Sequence, residues 1–221
     1  MITGGSSPSA WTFAMVDLAG YTALTETHGD EHAADLAVRF ADLATDCLDE
    51  GDRLVKPIGD AVLLASANPV QGLVLVERLL KACAGLEGFP LARAGLHHGP
   101  AAERAGDMFG TAVNLAARVA GQAAGGQVLA TRLVADAGRR RGLQVSSIGD
   151  IGLRNLTEPQ ELFDIDLGLG RPRGGTDPVC RMWVAHADGA GHLRHGGHHY
   201  CFCSLECAAR FATQPELYTT N

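Results

Sequence analysis

Several things are scarce in this chain. Aromatic residues are only 5% of it, and no apolar run approaches the roughly 20 residues that a membrane-crossing helix needs. No long run of lysine and arginine offers a stripe for a phosphate backbone, and the net charge is −7. That argues against nucleic acid as the main partner. The nearest exception, "GRRRG" at 138–142, reads as the solvated end of a helix. The opening "MITGGSSPSA" lacks the basic and apolar regions of a signal peptide, so residues 1–10 read as a loose tail and a cytoplasmic setting is expected. What is present, 46% hydrophobic and 19% charged residues over 221 positions, belongs to a soluble globular protein of one medium domain and one small one.

Residues 11–167 alternate strand-like and helical runs. "WTFAMVDL" is β-rich, and Thr25 to Leu48 sets Leu36, Phe40, Leu43 and Cys47 at helical spacing. A hairpin over 53–65 follows, then a helix over 69–86, the strand "LARAGLHHG", a helix from Thr111 to Gln122, and the strands "GQVLAT" and "ELFDIDL". This order predicts an α+β sandwich, with helices on one face of a mainly antiparallel sheet. At "GLGRPRGGTD" the pattern stops, marking a linker over 168–176. The segment 177–221 is poor in aliphatics and rich in Cys and His; one so short usually needs a metal or disulfides to hold it.

The hairpin "RLVKPIGDAVLLA" carries Lys56 and Asp60 around an otherwise apolar turn. Asp17 ends the first strand in "MVDLAGYT", where Gly20 permits a sharp turn. Two carboxylates at adjacent strand ends suit a hard divalent cation, although aspartates near turns are more often turn-formers. Lys56 precedes Pro57, which favours an extended backbone; on this stretch alone it reads as a surface lysine with its stem on apolar surface. In "GDMFGTAVNLAARV", Asn114 and Arg118 are four apart and share a helix face. Together they suit a phosphoryl group gaining charge, or an arginine ion pair with the amide as spectator.

Taken together these segments resemble the class III nucleotidyl cyclases, from about Phe13 to Ile165. "FAMVDLAGYTAL" and "KPIGD" resemble the two metal motifs of that family, and "GDMFGTAVNLAAR" its third. The resemblance implies a ferredoxin-like cyclase sandwich in which Asp17 and Asp60 hold two Mg²⁺ or Mn²⁺ ions. It implies that Lys56 and Asp107 recognise adenine, that Asn114 orients the ribose and that Arg118 steadies the transition state. It also implies a head-to-tail homodimer with two shared sites, so that Lys56 and Asp60 of one chain serve different sites. The chain departs from the family at Leu156, where many members place a phosphate-binding lysine that Arg154 could replace. Tyr21 stands in place of the usual phenylalanine.

Four of the six cysteines and five of the nine histidines lie in the tail. Cys203 and Cys207 share a face if "SLECAARF" is helical, and Cys180 could join them from a preceding strand. Thiolates so spaced suit Zn²⁺ or Cu⁺; a disulfide is the alternative, less suited to a reducing cytoplasm. The tail resembles the YHS domain, a small treble-cleft-like metal-binding module, through "DPVC" and "HHYCFCSLECAARF". That resemblance implies Cys180, Cys203 and Cys207 as ligands, with the fourth open among His198, His199 and Cys201. His186, His192 and His195 read as solvent loop, and Cys47 and Cys83 as small buried hydrophobes.

The expectation is an adenylate cyclase converting ATP to cyclic AMP and pyrophosphate, with metal in the tail as a candidate modulator. The alternative is a silent cyclase-fold module that binds without turnover.

Overall fold

The computed structural model describes residues 10–86, 88–169, 174–185 and 189–219. Residues 1–9 of the expected tail, 170–173 of the linker, and His186 lie outside these. Ala10 already begins the first strand, β1 (Ala10–Leu18). Ala14, Val16 and Leu18 are buried on one side of β1 and Phe13 on the other, so the strand is covered on both faces.

The single helix expected after β1 is two, α1 (Tyr21–His28) and α2 (Asp30–Asp46). Gly29 separates them at φ 88°, while its N–H still donates to the Thr25 carbonyl. The hairpin joins β2 (Asp52–Ile58) to β3 (Ala61–Ser66), with Gly59 at φ 61° in the turn. Helix α3 (Pro69–Ala84) opens with proline in its first turn, and the Asn68 side chain accepts from the Val70 and Gln71 N–H groups. Then come β4 (Ala92–Pro100), a short hairpin of β5 (Ala102–Arg104) and β6 (Asp107–Phe109), α4 (Thr111–Ala120) and β7 (Val128–Thr131). Two further elements, α5 (Arg132–Arg140) and β8 (Gln144–Ile151), precede β9 (Gln160–Asp166). The basic run at 138–142 does end a helix, α5.

The sheet order is β2-β3-β1-β4-β7-β9-β8, with only the β4–β7 pair parallel. Helices α2, α3 and α5 cover one face. Helix α4 covers the other, over Phe13, Leu63, Ala65 and Met108, so the helices lie on both faces rather than one. The approach is close: a Cβ on Gly95 of β4 would collide with the α4 backbone at Ala116 and Ala120.

The tail forms two hairpins, β10 (Gly174–Thr176) with β11 (Trp183–Ala185) and β12 (Gly191–His195) with β13 (His198–Phe202), followed by α6 (Leu205–Thr213) and α7 (Glu216–Thr219). His192 and His195 thus sit on a strand, not in a loop. The Phe211 ring packs 4.7 Å from Tyr200 and 5.2 Å from Phe202. The tail does not stand apart. Val179, Met182, Phe202 and Phe211 are buried in one continuous cluster with Leu36, Phe40 and Phe89, and Met182 pairs with Pro90 in an isolated bridge.

Candidate active site and thiol cluster

Strand pairing brings the two aspartates together. Asp17 lies opposite Ala61 on β3, and the N–H of Leu18 donates to the Asp60 carbonyl. On the other flank Asp17 lies opposite Arg93 of β4. The Arg93 Nε donates to Asp17 Oδ1 at 2.6 Å and its Nη2 to Oδ2 at 3.0 Å, a two-point pair, while Nη1 donates to the Ala123 carbonyl. Burial, with a smaller contribution from the Asp17 charge, raises the Asp60 carboxyl above the usual carboxylate range. The Tyr21 phenol is raised too, by burial first and then by the charge of Asp60. Arg93 is the site neighbour missed in the sequence. Its signal was a lone cation inside the otherwise apolar run "LARAGL".

A second pair lies on the neighbouring hairpins. Lys56 Nζ donates to Asp107 Oδ2 at 2.5 Å, and Asp107 Oδ1 accepts from the Met108 N–H. The Lys56 hydrogen bond holds the Asp107 carboxyl below its ordinary range. The ammonium also sits 5.6 Å from the centre of the Phe109 ring. A register shift between Leu54 and Lys56 re-aims β2 at this point. Asn114 and Arg118 lie one turn apart on α4, exposed and half-buried, with no side-chain partner among the described residues. The structure therefore joins Asp17 with Asp60 and Lys56 with Asp107. No hydrogen bond among the described residues links either pair to the other or to Asn114 and Arg118. Leu156 packs against Leu115, Val119 and Leu162, serving the core, while Arg154 is exposed.

The tail cysteines converge. Cys180 Sγ lies 3.4 Å from Cys203 Sγ, which lies 3.6 Å from Cys207 Sγ. Cys203 precedes the helix cap Ser204 rather than sharing a helix face with Cys207; the Cys207 N–H donates to the Ser204 hydroxyl. Asp177, wholly buried, orders both ends of the cluster: Oδ1 accepts from the Val179 N–H at 2.8 Å and Oδ2 from the Cys203 N–H at 2.8 Å. Hydrogen bonds from the Cys180 and Cys203 thiols depress the Cys207 thiol, while those to Cys203 and Cys207, with burial, raise Cys180. The fourth group is none of the three considered from the sequence. His198 and His199 are exposed on β13, and the Cys201 thiol faces the Val184 carbonyl. It is His28, at the end of α1, whose Nε2 lies 3.6 Å from Cys203 Sγ and 4.0 Å from Cys207 Sγ. Cys47 is half-buried and Cys83 buried, with burial pushing the Cys83 thiol up to about 12.

The fold has known counterparts. An adenylate cyclase of Trypanosoma brucei, solved in its monomeric state, superposes with a TM-score of 0.66 over 76% of this chain and 94% of that one, at 21% identity. The chain has the nucleotidyl cyclase catalytic fold. Along the cyclase-fold chain, 168 residues are 38% identical to a pH-sensitive adenylate cyclase of Mycobacterium tuberculosis, covering 74% of this chain and 42% of that protein. The chain thus spans less than half the length of that curated relative. A stretch of 44 residues is 48% identical to a copper-transporting P-type ATPase of Rhizobium leguminosarum bv. viciae, covering 20% of this chain and 5% of that protein. No protein-family model matches the chain. No helix among the described residues is long and apolar enough to cross a membrane.

Proposed function

We propose that this chain is an adenylate cyclase, converting ATP to 3′,5′-cyclic AMP and pyrophosphate at sites shared by two copies of itself. The observation that carries the reading is the Lys56–Asp107 pair, a donor set 2.5 Å from an acceptor on adjoining hairpins. Adenine presents the complement, an acceptor at N1 beside a donor at N6. Guanine presents the reverse, and leaving such groups unpaired costs roughly 1–3 kcal/mol each. Arg118 would neutralise charge gathering on the α-phosphoryl oxygens and Asn114 would hold the ribose.

Asp17 and Asp60 offer oxygen donors at adjacent strand ends that fit hard divalent cations. Bound there, Mg²⁺ or Mn²⁺ would acidify the 3′-hydroxyl and screen the departing pyrophosphate. Dimerisation is supported by Asn114 and Arg118, which have no side-chain partner among the described residues, and by the exposed apolar Ile58 and Phe109, each two positions from a member of the Lys56–Asp107 pair. A surface concavity of about 710 Å³, lined by Gln127, Gln144, Asp164 and Asp166, includes none of these six residues. The tail cysteines would hold Zn²⁺ or Cu⁺ and so bear on the activity.

The Arg93–Asp17 pair favours a second reading. A guanidinium already supplies the positive charge a metal would bring, so the dimer would bind nucleotide without turnover. The two readings part in one assay: cyclic AMP formation from ATP with Mn²⁺, with GTP and the Asp60→Ala variant alongside. Product from ATP, absent with the variant, is expected. ATP binding with no product from a dimeric sample would establish the silent module instead.

A further inference from the structure

We infer that the cluster of His28 with Cys180, Cys203 and Cys207 is one tetrahedral cation site built across both segments of the chain, a three-thiolate, one-imidazole site for a zinc-class ion. The inference rests on reading the tail cysteines as metal ligands and adds what that reading lacks: the fourth ligand, and its origin in the catalytic fold. All four ligand atoms lie within 4.8 Å of one another. Four such atoms about 2.3 Å from one ion at tetrahedral angles stand roughly 3.8 Å apart, close to the 3.4, 3.6, 3.6 and 4.0 Å observed. Cys180 and Cys207 are fully buried and Cys203 and His28 partly so. Four protein ligands fill a tetrahedral set, as in structural zinc sites, and leave no coordination position for solvent or substrate. Three thiolates and an imidazole match a borderline-soft ion with a tetrahedral preference.

The consequence lies in what His28 is attached to. It ends α1, the helix that starts directly after the turn following Asp17. At the other end of α1, Gly20 takes φ 81°, and Arg181, next in sequence to Cys180, packs so closely over it that a Cβ there would collide with the arginine side chain. The tail thus grips α1 at both ends. An ion that binds only when His28 and the cysteines are assembled stabilises that assembled arrangement, and through α1 it restrains the turn carrying Asp17. His32, whose ring lies 5.5 Å from that of His28, is the neighbouring imidazole outside the cluster and serves as the control.

The test uses the full chain, reduced and metal-free, titrated with Co²⁺ and then Zn²⁺. Wild type and His32→Ala are expected to give one tetrahedral Co²⁺ spectrum with thiolate charge-transfer bands. His28→Ala and His28→Gln are expected to bind roughly tenfold or more weakly, with shifted d–d bands. Hydrogen exchange should slow across 21–28 on adding Zn²⁺ to wild type and not to either His28 variant. Unchanged affinity and spectrum in both His28 variants, with binding lost in Cys203→Ser, would overturn the fourth ligand while leaving the cysteine site standing. Zn²⁺ that protects the tail and not 21–28 would overturn the link to α1. No binding by wild type would remove the cysteine reading itself.

Discussion

The two polar centres of this molecule are unfinished in different ways. On the α4 face, Asp17, Asp60, Lys56 and Asp107 sit at strand ends and hairpins, while Asn114 and Arg118 have no side-chain hydrogen bond or ion pair among the described residues. On the tail side, four ligand atoms from distant parts of one chain already face each other. The first set is not joined by side-chain contacts among the described residues, whereas the second has its four ligand-type atoms within 4.8 Å of one another. The difference follows from what covers each place. The thiol cluster adjoins the continuous apolar core, where polar groups must converge on partners. The residues of the first set lie at half-exposed edges, where water can satisfy them.

The strongest way to break this contrast is to ask whether the first set can be completed by another copy. Arg118→Ala is expected to lower cyclic AMP formation by roughly 10²–10³-fold, as loss of a transition-state charge contact does. Mixing it with the inactive Asp60→Ala chain should restore a measurable part of the rate, because a mixed dimer has one site with neither substitution. No recovery in a mixture shown to exchange subunits would place all six residues in one copy.

A smaller effect sharpens the second half of the comparison. Gly20→Ala combines a left-handed backbone, about 1–2 kcal/mol for a non-glycine residue, with a collision against Arg181 of about 1–3 kcal/mol more. Gly59→Ala meets only the first of these, since nothing lies within 4 Å of the added Cβ. Denaturant unfolding should therefore rank Gly20→Ala as the worse. Equal costs would mean that the tail does not lie on this turn.

The smallest effect concerns pH. Burial, and then the neighbouring His98, depress the His97 imidazole from 6.5 to about 4, and its Nδ1 lies 2.8 Å from the Thr131 hydroxyl. The unfolded chain takes up this proton first, so the contribution is intact above pH 6.5 and is lost as pH falls toward 4. With allowance for partial exposure it is worth ~2 kcal/mol. The slope of stability against pH across that window should flatten in His97→Gln; an unchanged slope would show that His97 does not carry it.

Much of this was legible in residues that are close in sequence. The hairpin at 53–65 showed its turn as a break between two apolar runs, and the four-residue spacing of Asn114 and Arg118 put them on one face. The cysteines of "DPVC" and "CFCSLEC" declared a cluster in the same way. Less legible was the break of the first helix at Gly29, because helical periodicity continues past a glycine that interrupts it. The second helical face was missed because strands buried on both sides show no alternation to read.

Composition, spacing and local turn chemistry determined the α+β class, the strand-end carboxylates and the tail thiols, since each depends on neighbours within a few positions. Only the tertiary structure decided that Arg93 grips Asp17 across a strand pair and that His28 meets cysteines more than 150 positions away. Those contacts are set by how sheet and tail share one apolar core, and no local pattern of residues encodes a distance between two surfaces that packing alone brings together.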